Sequence, residues 1–196
     1  MQSNNIKKLS NSYKSQVADI SAECFVNDIY FDFLSENKTE KKKKLIDMYA
    51  QAFNITIKLG DCFGYFIDNG LVGYVMILDY EQLKNDEKTF NSVFDISQTN
   101  FSEDVSNFIK YANNLKKSKY LLSICVNPSY QKRGIGFSLI NYIIKKYKNY
   151  HLISDVDNKN SLSIYRKLKF DITMLSDKFY IVDKFLTDED IEENIN

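Results

Sequence analysis

The chain has 196 residues, 44% of them apolar and 27% charged, with a formal net charge of zero. This length suits one domain with a core that needs no metal or disulfide staple, and the balanced charge argues against a globally basic nucleic-acid binder. Only 6 Gly and 1 Pro exclude collagen-like and proline-rich classes, and an aromatic content of 14% argues against intrinsic disorder.

Ile6 to Leu9 reads as a short strand. Residues 15–34 place Val17, Ile20, Cys24 and Phe25 at helical spacing, and Thr39 opens a second helix with Leu45, Ile46, Tyr49 and Phe53 on one face. The Lys41–Lys44 run is read as the solvated first turns of that helix. Cys62–Ile67 and Leu71–Leu78 flank Asp68-Asn69-Gly70. An Asn-Gly step between apolar runs predicts a hairpin whose turn has positive φ at both of those residues. Residues 80–100 are polar and acidic and read as an insertion or long loop, with 80–118 as a whole preceding the central strand. Phe101–Lys117 reads as a helix carrying Val105, Phe108 and Ile109.

Tyr120–Val126 is a continuous apolar run of strand length, broken by Asn127-Pro128. Gly134–Tyr147 is an amphipathic helix with Ile135, Leu139, Ile140, Ile143 and Ile144 on one stripe. His151–Val156 is a strand, Asn160–Leu168 a short helix, and Ile172–Leu175 and Phe179–Val182 are further strands. Residues 187–196 form an acidic tail. The expectation is a single domain, 1–196, of mixed α/β class.

Charge is uneven along this chain. Residues 131–169 carry nine Lys or Arg against two Asp, and 170–196 carry two Lys against eight acids. Either these surfaces balance each other or the basic segment meets an anion. Three cysteines, Cys24, Cys62 and Cys125, form no C-x-x-C pair, and His151 is the sole histidine, so no zinc site is expected. An odd number of thiols points to a reducing compartment. With neither an apolar leader segment nor a long apolar span, a cytoplasmic location without membrane or nucleic-acid contacts is expected.

The informative stretch is Leu121-Leu-Ser-Ile-Cys-Val126-Asn-Pro128, followed by Gln131-Lys132-Arg133-Gly134-Ile135-Gly136. A buried strand, a proline-terminated turn, a glycine-bearing loop and a helix start make an anion cradle. Consecutive backbone N–H groups converge there, and the helix N-terminus adds its positive end. Lys132 and Arg133 bring charge to the same place. A Walker A loop is absent, and the third glycine of a dinucleotide fingerprint is missing.

In these residues the chain resembles the GCN5-related N-acetyltransferase (GNAT) superfamily, whose signature is a strand ending in V-x-P and then Q/R-x-x-G-x-G/A at a helix start. Val126-Asn127-Pro128 and Gln131-Lys-Arg-Gly134-Ile-Gly136 match in order and spacing. Asn158-Lys-Asn-Ser161-Leu-Ser-Ile-Tyr165 through Phe170 is similar to the family's second segment, with Lys169 where the family has glycine. The resemblance implies a mixed, mostly antiparallel twisted sheet with helices on both faces. It implies an acetyltransferase using acetyl-CoA, with an amine acceptor and no metal, as a monomer or homodimer. The pyrophosphate would sit on Gln131, Lys132, Arg133, Gly134, Ile135 and Gly136. The pantetheine arm would run beside Ile124, Cys125 and Val126, and Asn158 and Ser161 would lie along the cofactor. Tyr165 would be the general acid. The acidic insert before the central strand and the two long N-terminal helices look most like those of small-molecule acetyltransferases of the puromycin-acetyltransferase type. The alternatives are a protein or peptide N-acetyltransferase and a non-catalytic acyl-CoA sensor.

Other residues carry plainer readings. Cys125 reads as an inert buried thiol and His151 as a strand-boundary residue. Glu23, Asp28, Asp79 and Glu81 are candidate bases that individually read as solvated carboxylates, and Asp155 with Asp157 reads as a strand end.

Overall fold

The computed structural model describes residues 5–94, 102–156 and 161–187. Its strands are β1 (Ile6–Lys8), β2 (Gly60–Ile67), β3 (Gly70–Asp79), β4 (Ser118–Val126), β5 (His151–Val156), β6 (Asp171–Ser176) and β7 (Phe179–Phe185). Its helices are α1 (Lys14–Phe25), α2 (Lys38–Leu59), α3 (Tyr80–Asn85), α4 (Glu87–Val93), α5 (Ser102–Asn113), α6 (Ile135–Lys146) and α7 (Leu162–Lys167). The strands form a mixed sheet in the order β1-β2-β3-β4-β5-β7-β6. β1/β2, β2/β3, β5/β7 and β6/β7 pair antiparallel, and β4/β5 is parallel. Two compact units divide the chain, Met1–Leu78 with Leu122–Leu139, and Asp79–Leu121 with Ile140–Asn196.

In the first unit, α1 and α2 bury Val17, Ala18, Leu45, Tyr49 and Phe53 against Cys62, Tyr74, Met76 and Cys125 of the strands. Full burial of each large apolar side chain contributes roughly 1.5–3 kcal/mol. Strand alternation turns Gly73 to the opposite face, where a Cβ would stand 3.3 Å from Ile135 of α6. Helices therefore cover both faces of this unit's strands. The expected helix over 15–34 ends at Phe25 instead. There Asp28 turns the chain: its N–H donates to Phe25 O at 2.9 Å and its carboxylate accepts from Tyr30 N at 3.0 Å. Asn37 caps α2 through Oδ1, which accepts from Thr39 N and Glu40 N.

Two further expectations in this unit need correction. Lys41 is not solvated: it is buried, and its Nζ donates to Asp28 O and Asp32 Oδ1, both at 2.7 Å. The hairpin turn is centred one residue earlier than expected, with Asp68 (φ 48°) and Asn69 (φ 63°) in the left-handed region. Gly70 instead pairs with Ile67 as the first residue of β3. Asp and Asn tolerate that region well enough to make the turn without glycine at its centre.

In the second unit, the segment 80–94, expected as an insertion or loop, forms α3 and α4. Asp79 and Asp86 cap them through hydrogen bonds to Gln82 N (3.0 Å) and Thr89 N (3.1 Å). Tyr80 and Leu83 are fully buried, and Tyr80, Phe90, Phe94, Phe108 and Tyr120 form a chain of ring contacts. The polar composition concealed an apolar stripe on short helices. Asp79 also holds Lys119 Nζ at 2.7 Å, with both side chains largely buried. The Lys119 ammonium sits 4.5 Å from the Tyr150 ring centroid.

Burial alone would push the Asp79 carboxyl up, but Lys119 and the α3 amides outweigh it and hold the carboxyl below its ordinary range. A depressed folded-state pKa contributes stability above the unfolded value and loses it as pH falls through the folded value. Asp79→Ala should therefore cost about 2 kcal/mol near neutral pH, combining a lost cap with a lost ion pair. Asp79→Asn should cost less, because Asn still caps. Chemical denaturation should show both deficits shrinking as pH drops below about 4.

Lys169, where the resembled family has glycine, sits at φ 57° in the left-handed region. The turn is therefore retained with a residue that strains it. Lys169→Gly should raise stability by about 1 kcal/mol, seen as a melting-temperature increase of about 2–4 °C.

Candidate functional site

The site begins where β4 ends. Asn127 N donates to Val72 O at 2.8 Å, tying the strand end to β3. A Cβ on Gly73 would stand 2.9 Å from Cys125 O and 3.4 Å from Val126 Cα. Glycine is what lets the two backbones approach there, a requirement the sequence reading missed; a glycine inside a strand pattern was the available signal. Asn127 Oδ1 accepts from Ser129 N at 3.0 Å, and Pro128–Tyr130 make one 3-10 turn. Pro128 opens that turn, where its missing N–H costs nothing.

The loop then passes through Lys132 (φ 61°) and Gly134 (φ 77°), two left-handed residues that turn the chain into α6. The first bond of that helix runs from Ser138 N to Gly134 O at 2.9 Å. By helix geometry, the N–H groups of Ile135, Gly136 and Phe137 have no acceptor within the helix. Gly134 is exposed, and a Cβ there would meet nothing within 4 Å. Its glycine serves backbone conformation and an open approach to these amides.

The side chains of this loop behave differently from expectation. Gln131 Nε2 donates back to Val126 O at 3.0 Å. Arg133 donates to Ser129 O at 3.2 Å and lies over the Tyr130 ring at 5.0 Å. Both brace the loop while remaining exposed, as Lys132 is, and the backbone is the source of convergent donors. Ile124 and Val126 are half-buried, while Cys125 is buried in the core of the first unit. Any contact of Cys125 with a ligand would be through its backbone.

In the second unit, Tyr165 of α7 is 3% exposed and packs edge-on against Phe170, with centroids 5.2 Å apart. Near it Ser154 Oγ donates to Leu121 O at 2.8 Å. Burial, and after it the charge of Asp155, pushes the Tyr165 phenol well above its ordinary value. Asp155 is itself pushed up by burial, and it accepts from Tyr120 OH at 2.7 Å. Asp155 is thus part of a buried polar cluster around Tyr165, beyond its role at the end of a strand. Ser161 starts α7, with its carbonyl accepting from Ile164 N at 3.0 Å. Asn158, Asp157 and the tail from 188 lie outside the described residues.

The four candidate bases have structural partners. Glu23 pairs with Lys42, Asp28 orders its own turn, Asp79 pairs with Lys119, and Glu81 pairs with Lys84 at 3.0 Å. His151 Nδ1 lies 3.0 Å from Asp183 Oδ1, and Tyr111 OH donates to Asp183 Oδ2 at 2.7 Å. No group of three or more His, Cys, Asp or Glu that could hold a metal occurs among the described residues. Among them, no helix is long and apolar enough to cross a membrane.

The sequence matches the acetyltransferase (GNAT) family over residues 25–170. No curated protein matches it. Several solved structures share its fold. One, described as histone acetyltransferase HPA2 and related acetyltransferase from Corynebacterium glutamicum, aligns with a TM-score of 0.65 and 13% identity, covering 93% of this chain and 96% of that one. A polyamine N-acetyltransferase from Drosophila melanogaster aligns at 0.58 and 10% identity, covering 92% and 99%. The ribosomal-protein-S18-alanine N-acetyltransferase from Escherichia coli aligns at 0.55 and 13% identity, covering 93% of each chain. With well over half its length matched and a mixed seven-stranded sheet flanked by helices, this chain belongs to the GNAT family of acetyltransferases.

Proposed function

We propose that the protein transfers the acetyl group of acetyl-CoA to a primary amine of a small molecule by direct attack. The observation that carries this reading is the loop after β4. Left-handed Lys132 and Gly134 lead into a helix start whose first amides have no acceptor within the helix, behind an open glycine. Such an array suits a pyrophosphate, because the donors are fixed before the anion arrives. Gln131, Lys132, Arg133, Gly134, Ile135 and Gly136 would hold it, with Gln131 and Arg133 bracing the loop. The backbone of Ile124, Cys125 and Val126 would bind the pantetheine amides. Acetyl-CoA supplies an activated thioester.

The Val126 amide would donate to the acetyl carbonyl and stabilise the charge that develops there. Tyr165 is assigned by its place in the second motif, with Asn158 and Ser161 assigned to the cofactor on the same basis. Burial keeps a proton on the phenol, and that proton would pass to the departing thiolate. As the amine forms the new C–N bond and the C–S bond breaks, the amine's own proton leaves to solvent. N-acetyltransferases acting on polyamines and on a ribosomal-protein alanine are both among the similar structures. The small-molecule acceptor rests on α1 and α2, which resemble those of small-molecule acetyltransferases.

Acetyl-CoA should raise the melting temperature of the wild type. Gly134→Asp and Gly136→Val should each abolish that rise. The Gly134 position has room for a side chain, and Asp tolerates positive φ, so the first variant should fold and repel the anion. Retained stabilisation in both variants would refute the pyrophosphate site.

Tyr165→Phe should keep acetyl-CoA binding and lower kcat by about 10²-fold or more in an assay with small amines. Unchanged kcat would remove Tyr165 from the chemistry. If wild type acetylates a peptide amine and none of a small-amine panel, the acceptor class is wrong.

A further inference from the structure

A second cluster of reactive groups lies at the end of β4, within the first unit. Cys24 of α1 and Cys125 of β4, far apart in sequence, pack together in the core of the first unit, close enough for each thiol to act on the other. Cys24 also donates to Val126 O at 3.3 Å. Tyr74 OH donates to Cys125 Sγ at 3.2 Å, and it lies 2.6 Å from Ser21 Oγ and 3.2 Å from Ser123 Oγ. Cys24 is partly exposed, whereas Cys125 is 3% exposed. The third thiol, Cys62, is fully buried on β2.

We propose that Cys24 and Cys125 are an oxidisable thiol pair that closes to an intramolecular disulfide and thereby shuts the acetyl end of the site. The oxidant is a small-molecule disulfide. The Cys24 thiolate attacks one of its sulfurs, forming a mixed disulfide and releasing one thiol. Cys125 then attacks Cys24 Sγ, the mixed bond breaks, and a second thiol leaves. The two cysteine protons end on the released thiols, so one external disulfide is reduced for each internal one formed.

Three features favour this order of events. Only Cys24 is reachable from solvent, so it is struck first. The neighbouring Cys125 thiol holds the Cys24 thiol below its ordinary range, whereas burial holds Cys125 well above. Closure also leaves no polar group stranded. Val126 O loses the Cys24 thiol but keeps Gln131 Nε2 at 3.0 Å. Tyr74 loses the Cys125 acceptor but keeps Ser21 and Ser123. An unsatisfied buried group, the usual obstacle to such a change, does not arise.

The pair stands on the packing of the two thiols at the end of β4; its effect on acetyl-CoA rests on the function proposed above, because Cys125 precedes Val126. Treating the intact protein with oxidised glutathione, alkylating and mapping peptides by mass spectrometry tests it. Wild type should yield a linked Cys24–Cys125 peptide pair, lost on reduction, with Cys62 still free. Cys125→Ser should stop at a glutathione adduct on Cys24, and Cys24→Ser should leave Cys125 unmodified. A wild-type protein that accumulates the Cys24 adduct without the linked pair, or keeps Cys24 free, overturns the proposal without reliance on any variant. The oxidised protein should lose stabilisation by acetyl-CoA and regain it on reduction. Equal stabilisation of both forms would overturn the switch. A linked pair in a protein that acetyl-CoA stabilises in neither form would instead count against the acetyl-CoA reading alone.

Discussion

The carbonyl of Val126 is the point on which the first unit's site depends. It accepts from Gln131 Nε2 of the following loop and from Cys24 of α1, one residue before Asn127 N is tied to Val72 O. Gly73 makes that closeness sterically possible. These constraints fix where β4 stops and where the loop begins. The loop's left-handed residues then decide where the first amides of α6 are presented. An anion site made of backbone needs such bracing, because its donors cannot be repositioned by side-chain rotation.

This division of labour explains why Gln131 and Arg133 fold back onto the loop's own carbonyls. A guanidinium aimed at a ligand would add charge, but a guanidinium on Ser129 O and Tyr130 holds the loop's shape. Arg133 keeps its charge beside the loop together with Lys132, and more distant lysines add to the field. Lys145 and Lys146 lie in the last turn of α6, where they complement the negative end of the helix. The second unit meets a different requirement, burying polar groups safely. Tyr120 donates to Asp155 and Ser154 to Leu121 O, beside the buried Tyr165.

Much of this was legible in the sequence, because its signals are local. The strand-break-loop-helix pattern over Leu121–Gly136 placed β4 and α6 nearly to the residue, since an apolar run, one proline and two glycines each act within a few positions. The bracing of Val126 O was not legible, because Cys24 reaches it from α1, far away in the chain, and Gln131 only by folding back across the turn. Lys41 misled for the same reason: a run of four lysines looks solvated until Asp28 and Asp32 fold over one of them. Residues 80–94 hid two helices whose buried positions, Tyr80 and Leu83, are spaced correctly but sit among charges. The shifted hairpin turn reflects how readily Asp and Asn adopt positive φ, which makes Asp68-Asn69 compete with Asn69-Gly70 for its centre.

On the proposed function, the end of β4 and the loop into α6 form the acetyl-CoA site. Amide hydrogen exchange, followed by mass spectrometry with and without acetyl-CoA, tests it most directly. Saturating acetyl-CoA should slow exchange in peptides covering 124–137 more than in β1 and β2. Unchanged exchange across 124–137, with protection confined to other segments, would contradict it.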